Sequence, residues 1–232
     1  MARSDIASLK PEQLTPADRG WYFFLQGLLM DAAGNPGAAR GFFEQAEGAA
    51  TSDMARAQFM LAREQARLRT GPVDATLLEE ARKNMDRLQG RKAGYGFART
   101  YATMLDTQGR KSDAVAVLQR QLSTLPAAEQ AEADDFHLLL GLIDGPQGGA
   151  GRKALENLLE SGVDRTKQRI ALQLLAQASG SEPALSQFKR ELDGLIDLNH
   201  PHPILEDLLL ARAQVSLTAK NYPQAEQDAR DL

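Results

Sequence analysis

The chain contains no cysteine, only three histidines and few aromatic residues, which make up 6% of its 232 residues. The absence of cysteine excludes disulfides, thiolate metal sites and cysteine nucleophiles. Apolar runs are also short: the longest, from Trp21 to Met30, holds about ten residues, whereas a membrane-spanning helix needs about 20. We therefore expect a soluble chain without membrane insertion.

What the chain does contain favours helices. Hydrophobic residues make up 43% and charged residues 25% of the sequence, a balance typical of a globular protein. Alanine, leucine, arginine, glutamine and glutamate are abundant, and these residues favour helices over strands. We expect almost no sheet. The net charge of −4 gives no whole-chain signal for nucleic acid or for an anionic membrane.

A pattern of small, turn and apolar residues occurs three times. In each copy a small residue lies inside one amphipathic run, a turn follows, and a second run has alanine near its start. The copies are Gly27, Gly34-Asn35, Ala39, Phe43 and Ala46; Ala102, Gly109-Arg110, Ala114, Leu118 and Pro126; and Ala213, Asn221-Tyr222, Ala225 and Ala229. Small residues let two helices cross closely, so each copy predicts a helical hairpin.

This order of residues resembles the tetratricopeptide repeat, a helix–turn–helix unit of about 34 residues. The resemblance implies an all-α, right-handed α-solenoid of about six hairpins. We predict an N-terminal segment over residues 1–15 and a repeat domain over 16–232, with hairpins at about 16–50, 52–90, 93–126, 127–162, 164–198 and 203–232. The last hairpin ends early in its second helix, which predicts that the chain is the N-terminal part of a longer, bacterial repeat protein.

The resemblance also predicts a binding surface. In this family the first helices of successive hairpins line a concave face that holds a peptide or a partner helix. The corresponding positions here are Trp21, Phe24, Leu28, Arg99, Thr103 and Gln214. Family members that grip a terminal carboxylate use Lys, Arg and Asn at such positions, and this chain lacks that set, so we do not expect chaperone-tail binding.

Two interpretations of the first helix stay open. Its apolar side chains would suit an amphipathic or extended apolar ligand. Alternatively, the segment containing Ile6, Leu9 and Leu14 folds back as a cap, and the sequence favours this capping. The cap would cover Trp21, Phe24 and Leu28.

A basic segment from Arg82 to Lys111 contains eight basic residues against Asp86 and Asp106. It could attract an acidic partner or a phosphate-bearing polymer. Solvated helix faces give the same count in many proteins. Helical spacing predicts that most of the aromatic residues Tyr95, Phe97 and Tyr101 are core residues rather than stacking platforms. We expect no nucleic-acid partner.

The sequence predicts neither a metal nor a cofactor. His200-Pro201-His202 supplies two imidazoles without a third nearby ligand. The glycine-rich segment 145–153 lacks the GxxxxGK[ST] order and the preceding strand of a phosphate loop, so a loop between helices is expected. With no Ser/His/Asp set, no HExxH and no paired carboxylates in an apolar setting, we expect no enzyme.

We therefore predict a protein–protein interaction scaffold that binds a peptide or partner helix on its concave face. Two alternatives stay open: a structural spacer in a bacterial envelope or secretion assembly, and a regulatory domain of a longer enzyme or DNA-binding protein. The absence of cysteine favours the periplasm over the cytoplasm.

Overall fold

The computed structural model describes residues 9–197 and 199–232. Within them the chain forms a short 3-10 helix, Pro11–Gln13, twelve α-helices and no strand. The helices are α1 Pro16–Ala32, α2 Pro36–Gly48, α3 Asp53–Thr70, α4 Ala75–Arg87, α5 Lys92–Thr107, α6 Lys111–Thr124, α7 Gln130–Asp144, α8 Gly149–Ser161, α9 Arg165–Ala178, α10 Ala184–Leu195, α11 Leu205–Thr218 and α12 Tyr222–Asp231. Ile6 of the predicted cap and Leu198, the end of the fifth predicted hairpin, lie outside the described residues.

The chain divides into two compact units, residues 1–114 and 115–232, with the boundary inside α6. In the first unit α1 packs on α2, α2 on α3, α3 on α5, and α4 on α5. In the second unit α7 packs on α8, α8 on α9, α10 on α11, and α11 on α12, while α7 also contacts α9. Helices therefore pack on their successive neighbours, and the predicted all-α, solenoid-like class is confirmed.

Side-chain caps explain where several helices begin. Thr15, Asn35, Ser52, Asp74 and Asp164 each precede a helix and accept a hydrogen bond from a backbone N–H of its first turn. Such caps satisfy donors that have no partner inside the helix. These residue types can be read directly from the sequence.

The same turn closes the first helix of three hairpins. Gly34, Gly109 and Lys220 all have positive φ, at 75°, 74° and 59°. The next residue then donates its N–H to the carbonyl five positions earlier: Asn35 to Met30 at 2.9 Å, Arg110 to Leu105 at 2.9 Å, and Asn221 to Ser216 at 2.8 Å. This is the Schellman arrangement of a helix C-terminus. The repeat detected in the sequence is therefore reproduced in backbone hydrogen bonds.

Glycines inside helices mark close contacts between helices. A Cβ added to Gly27 of α1 would lie 2.4 Å from the ring of Phe43 on α2, and one added to Gly141 of α7 would lie 2.4 Å from Leu155 on α8. No real Cβ tolerates such a distance, so these two pairs can pack only because the first helix carries glycine there.

Each unit has its own apolar core. Phe24, Phe43 and Phe59 lie in a buried cluster between α1, α2 and α3 of the first unit. In the second unit Leu158, Leu175 and Phe188 belong to a larger buried cluster shared by α8, α9, α10 and α11. Burial of these side chains is the main favourable term for both units.

Candidate interaction surface

An apolar stripe runs along the outside of α1. Trp21, Leu25 and Leu28 are 38%, 42% and 42% exposed. Their i, i+4, i+7 spacing places them on one helix face over about 10 Å. Trp21 also reaches α3, because its ring centroid is 5.0 Å from that of Phe59 in an edge-to-face contact. We call these three residues the α1 stripe.

Phe24, which the resemblance placed in the groove, lies in the core. Its side chain is only 7% exposed, and its ring centroid is 5.7 Å from Phe43 and 5.1 Å from Phe59. The ring therefore supports Trp21, which it meets edge-on at 5.6 Å, and is not itself open to a ligand. Leu25 instead completes the stripe. Its position four residues after Trp21 was the available signal, but Leu25 was not among the predicted groove residues.

The described part of the predicted cap leaves the α1 stripe open. Arg19 donates from Nε to the carbonyl of Pro11 at 3.0 Å and from Nη2 to that of Leu14 at 3.4 Å, which fixes residues 11–14 at the start of α1. At 100° per residue, Arg19 lies roughly 160° around the helix from Trp21. Leu9 is itself exposed. Ile6, the other apolar residue of the predicted cap, lies outside the described residues.

The remaining predicted groove residues lie on α5 and α11. Arg99 and Thr103 are half-buried on α5, and the Thr103 hydroxyl donates to the carbonyl of Arg99 at 2.9 Å. Because α3 contacts both Trp21 and α5, it separates these two residues from the α1 stripe. Gln214 is exposed on α11, in the second unit. Each unit thus presents at least one of the predicted positions to solvent.

Part of the basic segment is neutralised by carboxylates one helical turn away. Arg82 pairs with Glu79 at 2.8 Å and with Asp86 at 2.9 Å, and the hydrogen bond from Arg82 lowers the pKa of Glu79 to about 2. Arg110 pairs with Asp113 at 2.7 Å. These are ion pairs one helical turn apart, typical of solvated helix faces. They explain why counting basic residues along the sequence overstated the positive charge here.

Both histidines of the His-Pro-His turn already have protein partners. His200 Nδ1 lies 3.1 Å from a carboxylate oxygen of Asp197. His202 Nε2 lies 2.9 Å from the carbonyl of Leu159, while His202 Nδ1 accepts from the N–H of Ile204 at 3.3 Å. Across residues 9–197 and 199–232, no group of three or more histidine, aspartate or glutamate side chains is placed to hold a metal ion.

At the glycine-rich loop before α8, a carboxylate of the chain itself occupies the place where a phosphate would bind. An Asp144 carboxylate oxygen accepts from the N–H of Gly151 at 2.8 Å, at the N-terminal end of α8. A phosphate group would need this same place, because helix N-termini bind anions through their free N–H groups. The loop is therefore a capping device for α8.

Two adjoining clefts lie between α6, α7 and α8 in the second unit. Their volumes are about 310 Å³ and about 360 Å³, and Leu122 and His137 line both. Leu125 and Leu140 add apolar walls, one to each cleft. Burial lowers the pKa of His137, opposed by the nearby Asp134 carboxylate, so the imidazole is kept neutral.

Buried ion pairs join helices that are distant in sequence. Arg152 on α8 is almost fully buried and donates from Nη2 to both carboxylate oxygens of Glu191 on α10, at 2.7 and 2.8 Å. Its Nε lies 2.7 Å from Glu156 one turn along α8. Burial and the neighbouring Glu191 raise the pKa of Glu156. This cluster fixes α10 against α8.

No family model, curated protein or solved structure matches this chain. None of the described helices combines the length and the apolar character needed to cross a bilayer. The surface geometry, above all the α1 stripe, is therefore the basis for a functional assignment.

Proposed function

We propose that this chain is a protein–protein interaction scaffold that binds an apolar or amphipathic segment of a partner, a peptide or a helix, along the α1 stripe. The observation that supports this most directly is the exposure of Trp21, Leu25 and Leu28 in one row on a helix that buries Gly20, Phe24 and Gly27 on an adjacent face. Contiguous exposed apolar side chains of this size mark interaction sites on soluble proteins.

The chemistry of the stripe indicates how it would bind. Leucine and tryptophan side chains offer apolar area without charge, and tryptophan is enriched where interfaces concentrate their binding energy. The rings of Phe24 and Phe59 pack edge-to-face against Trp21 and restrict its rotamers. Little side-chain freedom is therefore lost when a partner covers Trp21. A partner helix with apolar residues at i, i+3 or i+4, and i+7 matches this spacing.

We also propose that the hairpins are of the tetratricopeptide type. The three equivalent Schellman turns and the small residue on the preceding helix support this family resemblance. In that framework Arg99 and Thr103 on α5 and Gln214 on α11 are additional contact positions, each with its side chain at least partly open to solvent.

The test compares the 232-residue chain and its variants as baits. Leu25→Asp with Leu28→Asp places two charges on the stripe and leaves the core intact, whereas Phe24→Asp would disrupt the core and is unsuitable. Leu142→Asp is the matched control, because Leu142 is 56% exposed on α7 of the other unit. A photo-reactive residue at position 25 then identifies by mass spectrometry which captured protein touches the stripe.

A partner that crosslinks to position 25, is retained by the control and is lost at least tenfold from the double variant would support the proposal. Equal recovery on all three baits would contradict it. That result would favour the spacer alternative, in which the chain holds its neighbours apart without a ligand of its own.

A further inference from the structure

A carboxyl group without a counter-ion lies between α3 and α4. Glu64 is 0% exposed, and its Oε1 accepts from Nδ2 of Asn84 on α4 at 2.8 Å. Its Oε2 is buried and has no hydrogen-bond partner within the described part of the chain. An ionised carboxylate in such a place loses its hydration without full compensation.

The cations around Glu64 are engaged by other carboxylates. On α3, Arg63 binds Glu47 of α2 at 2.6 Å, and Arg67 binds Glu80 of α4 at 2.8 Å. These two arginines attract a negative charge on Glu64, whereas Glu80 repels it. Neither arginine forms an ion pair with Glu64 itself.

The other groups around this carboxyl are polar or cationic and do not replace a counter-ion. Arg87 of α4 donates to Oδ1 of Asn84 at 3.1 Å, which orients the Asn84 amide with its NH₂ toward Glu64. On the side of α3 that faces α5, the neutral side chain of Gln65 donates a hydrogen bond to the Thr100 hydroxyl at 3.5 Å. The neutral acid is therefore the form that suits the closed contact between α3 and α4.

We infer that the contact between α3 and α4 depends on the protonation of Glu64. The contact is closed when the Glu64 carboxyl is protonated and opens more readily when that proton is lost. Burial raises the pKa of Glu64 from 4.5 to about 7, in agreement with this geometry. The closed contact thus binds a proton that the open one releases. Its stability is greatest below pH 4.5, falls between pH 4.5 and 7, and levels off above.

The experiment measures hydrogen exchange of α3 and α4 amides by mass spectrometry, corrected for the intrinsic pH dependence of exchange. Between pH 5.5 and 8.0 the two pKa values, 4.5 and about 7, predict that the opening constant of these helices rises roughly 30-fold. Glu64→Gln keeps the shape and the acceptor for Asn84 but cannot titrate, so its opening constant is expected to be independent of pH.

Glu44→Gln on α2 is the matched control, because Glu44 is exposed and pairs with Arg40 one turn away on the same helix. This variant is expected to keep the wild-type pH response. Glu64→Leu serves as a second non-titrating variant if Glu64→Gln does not fold. The inference is overturned if a folded Glu64 variant retains the 30-fold response, or if the wild-type response is equally large in α9–α11 of the other unit.

Discussion

Gly27 and Phe43 are in such close contact that a methyl group on residue 27 would lie 2.4 Å from Cε1 of the phenylalanine ring. Gly27→Ala improves helix propensity by about 1 kcal/mol but forces the α1–α2 contact apart. Overpacking of this kind costs about 1–3 kcal/mol, so we expect a net loss of stability in the first unit.

Gly41→Ala on α2 is the control for this prediction, because a Cβ at that position meets no atom within 4 Å. It should gain up to about 1 kcal/mol from propensity alone. Urea unfolding followed by circular dichroism measures both variants. An unchanged or increased midpoint for Gly27→Ala would show that the contact is not tight.

Lys220 occupies the position that glycine holds in the two equivalent turns. Its φ of 59° is in the left-handed region, where a side chain costs about 1–2 kcal/mol relative to glycine. We expect Lys220→Gly to stabilise the α11–α12 hairpin by about 1 kcal/mol in thermal or urea unfolding. Ala219→Gly, one residue earlier at φ −79°, should destabilise it instead, since no positive φ is relieved there.

Arg152 neutralises two carboxylates that its removal would leave facing each other. We expect Arg152→Met to lower the stability of the second unit by about 1–3 kcal/mol at neutral pH, less than for a fully buried pair because both carboxylates are partly exposed. The loss should shrink in acid, because burial raises the pKa of Glu156, so this carboxylate is then protonated. A double-mutant cycle with Glu191→Gln isolates the pair energy, and a coupling near zero would contradict this assignment.

His137, in the second unit, predicts a pH dependence of stability opposite to that of Glu64 in the first unit. Burial lowers its pKa below 6.5, so the folded state binds fewer protons than the unfolded state. Stability that is fully present above pH 6.5 is therefore lost as the pH falls below that value. Unfolding of wild type and His137→Gln between pH 5 and 7.5 should show a decline only in the wild type. Parallel curves would exclude a role for this imidazole.

The sequence predicted the helices well because their signals are local. Thr15-Pro16, Asn35-Pro36 and Ser52 are caps that act within one turn, and each marks a helix start in the structure. Gly27 and Ala39 were predicted to lie at a helix contact, and both are buried. Propensity, capping and periodicity agree at these places, so no distant information was needed.

The surface was less predictable because it depends on residues far apart in the chain. Phe24 was assigned to the groove since nothing nearby shows that Phe59, 35 positions later, covers it. The pairing of Arg82 with Glu79 and Asp86 could have been read from helical spacing.

Glu64 could also have been noticed, because it interrupts an apolar row of Ala57, Leu61 and Leu68 on α3. Its partner Asn84 could not, since two helices must be folded together before the hydrogen bond exists.

Trp21 is the only tryptophan of the chain, and it lies half exposed in the α1 stripe against Phe59. The protein therefore contains an intrinsic fluorophore at the surface where we propose that a partner binds. Its emission should shift to shorter wavelength when an apolar segment covers the indole, and it should follow the melting of the first unit without a signal from the second. Binding of an unlabelled ligand can therefore be followed by titration, using the intrinsic fluorescence of Trp21 as the signal.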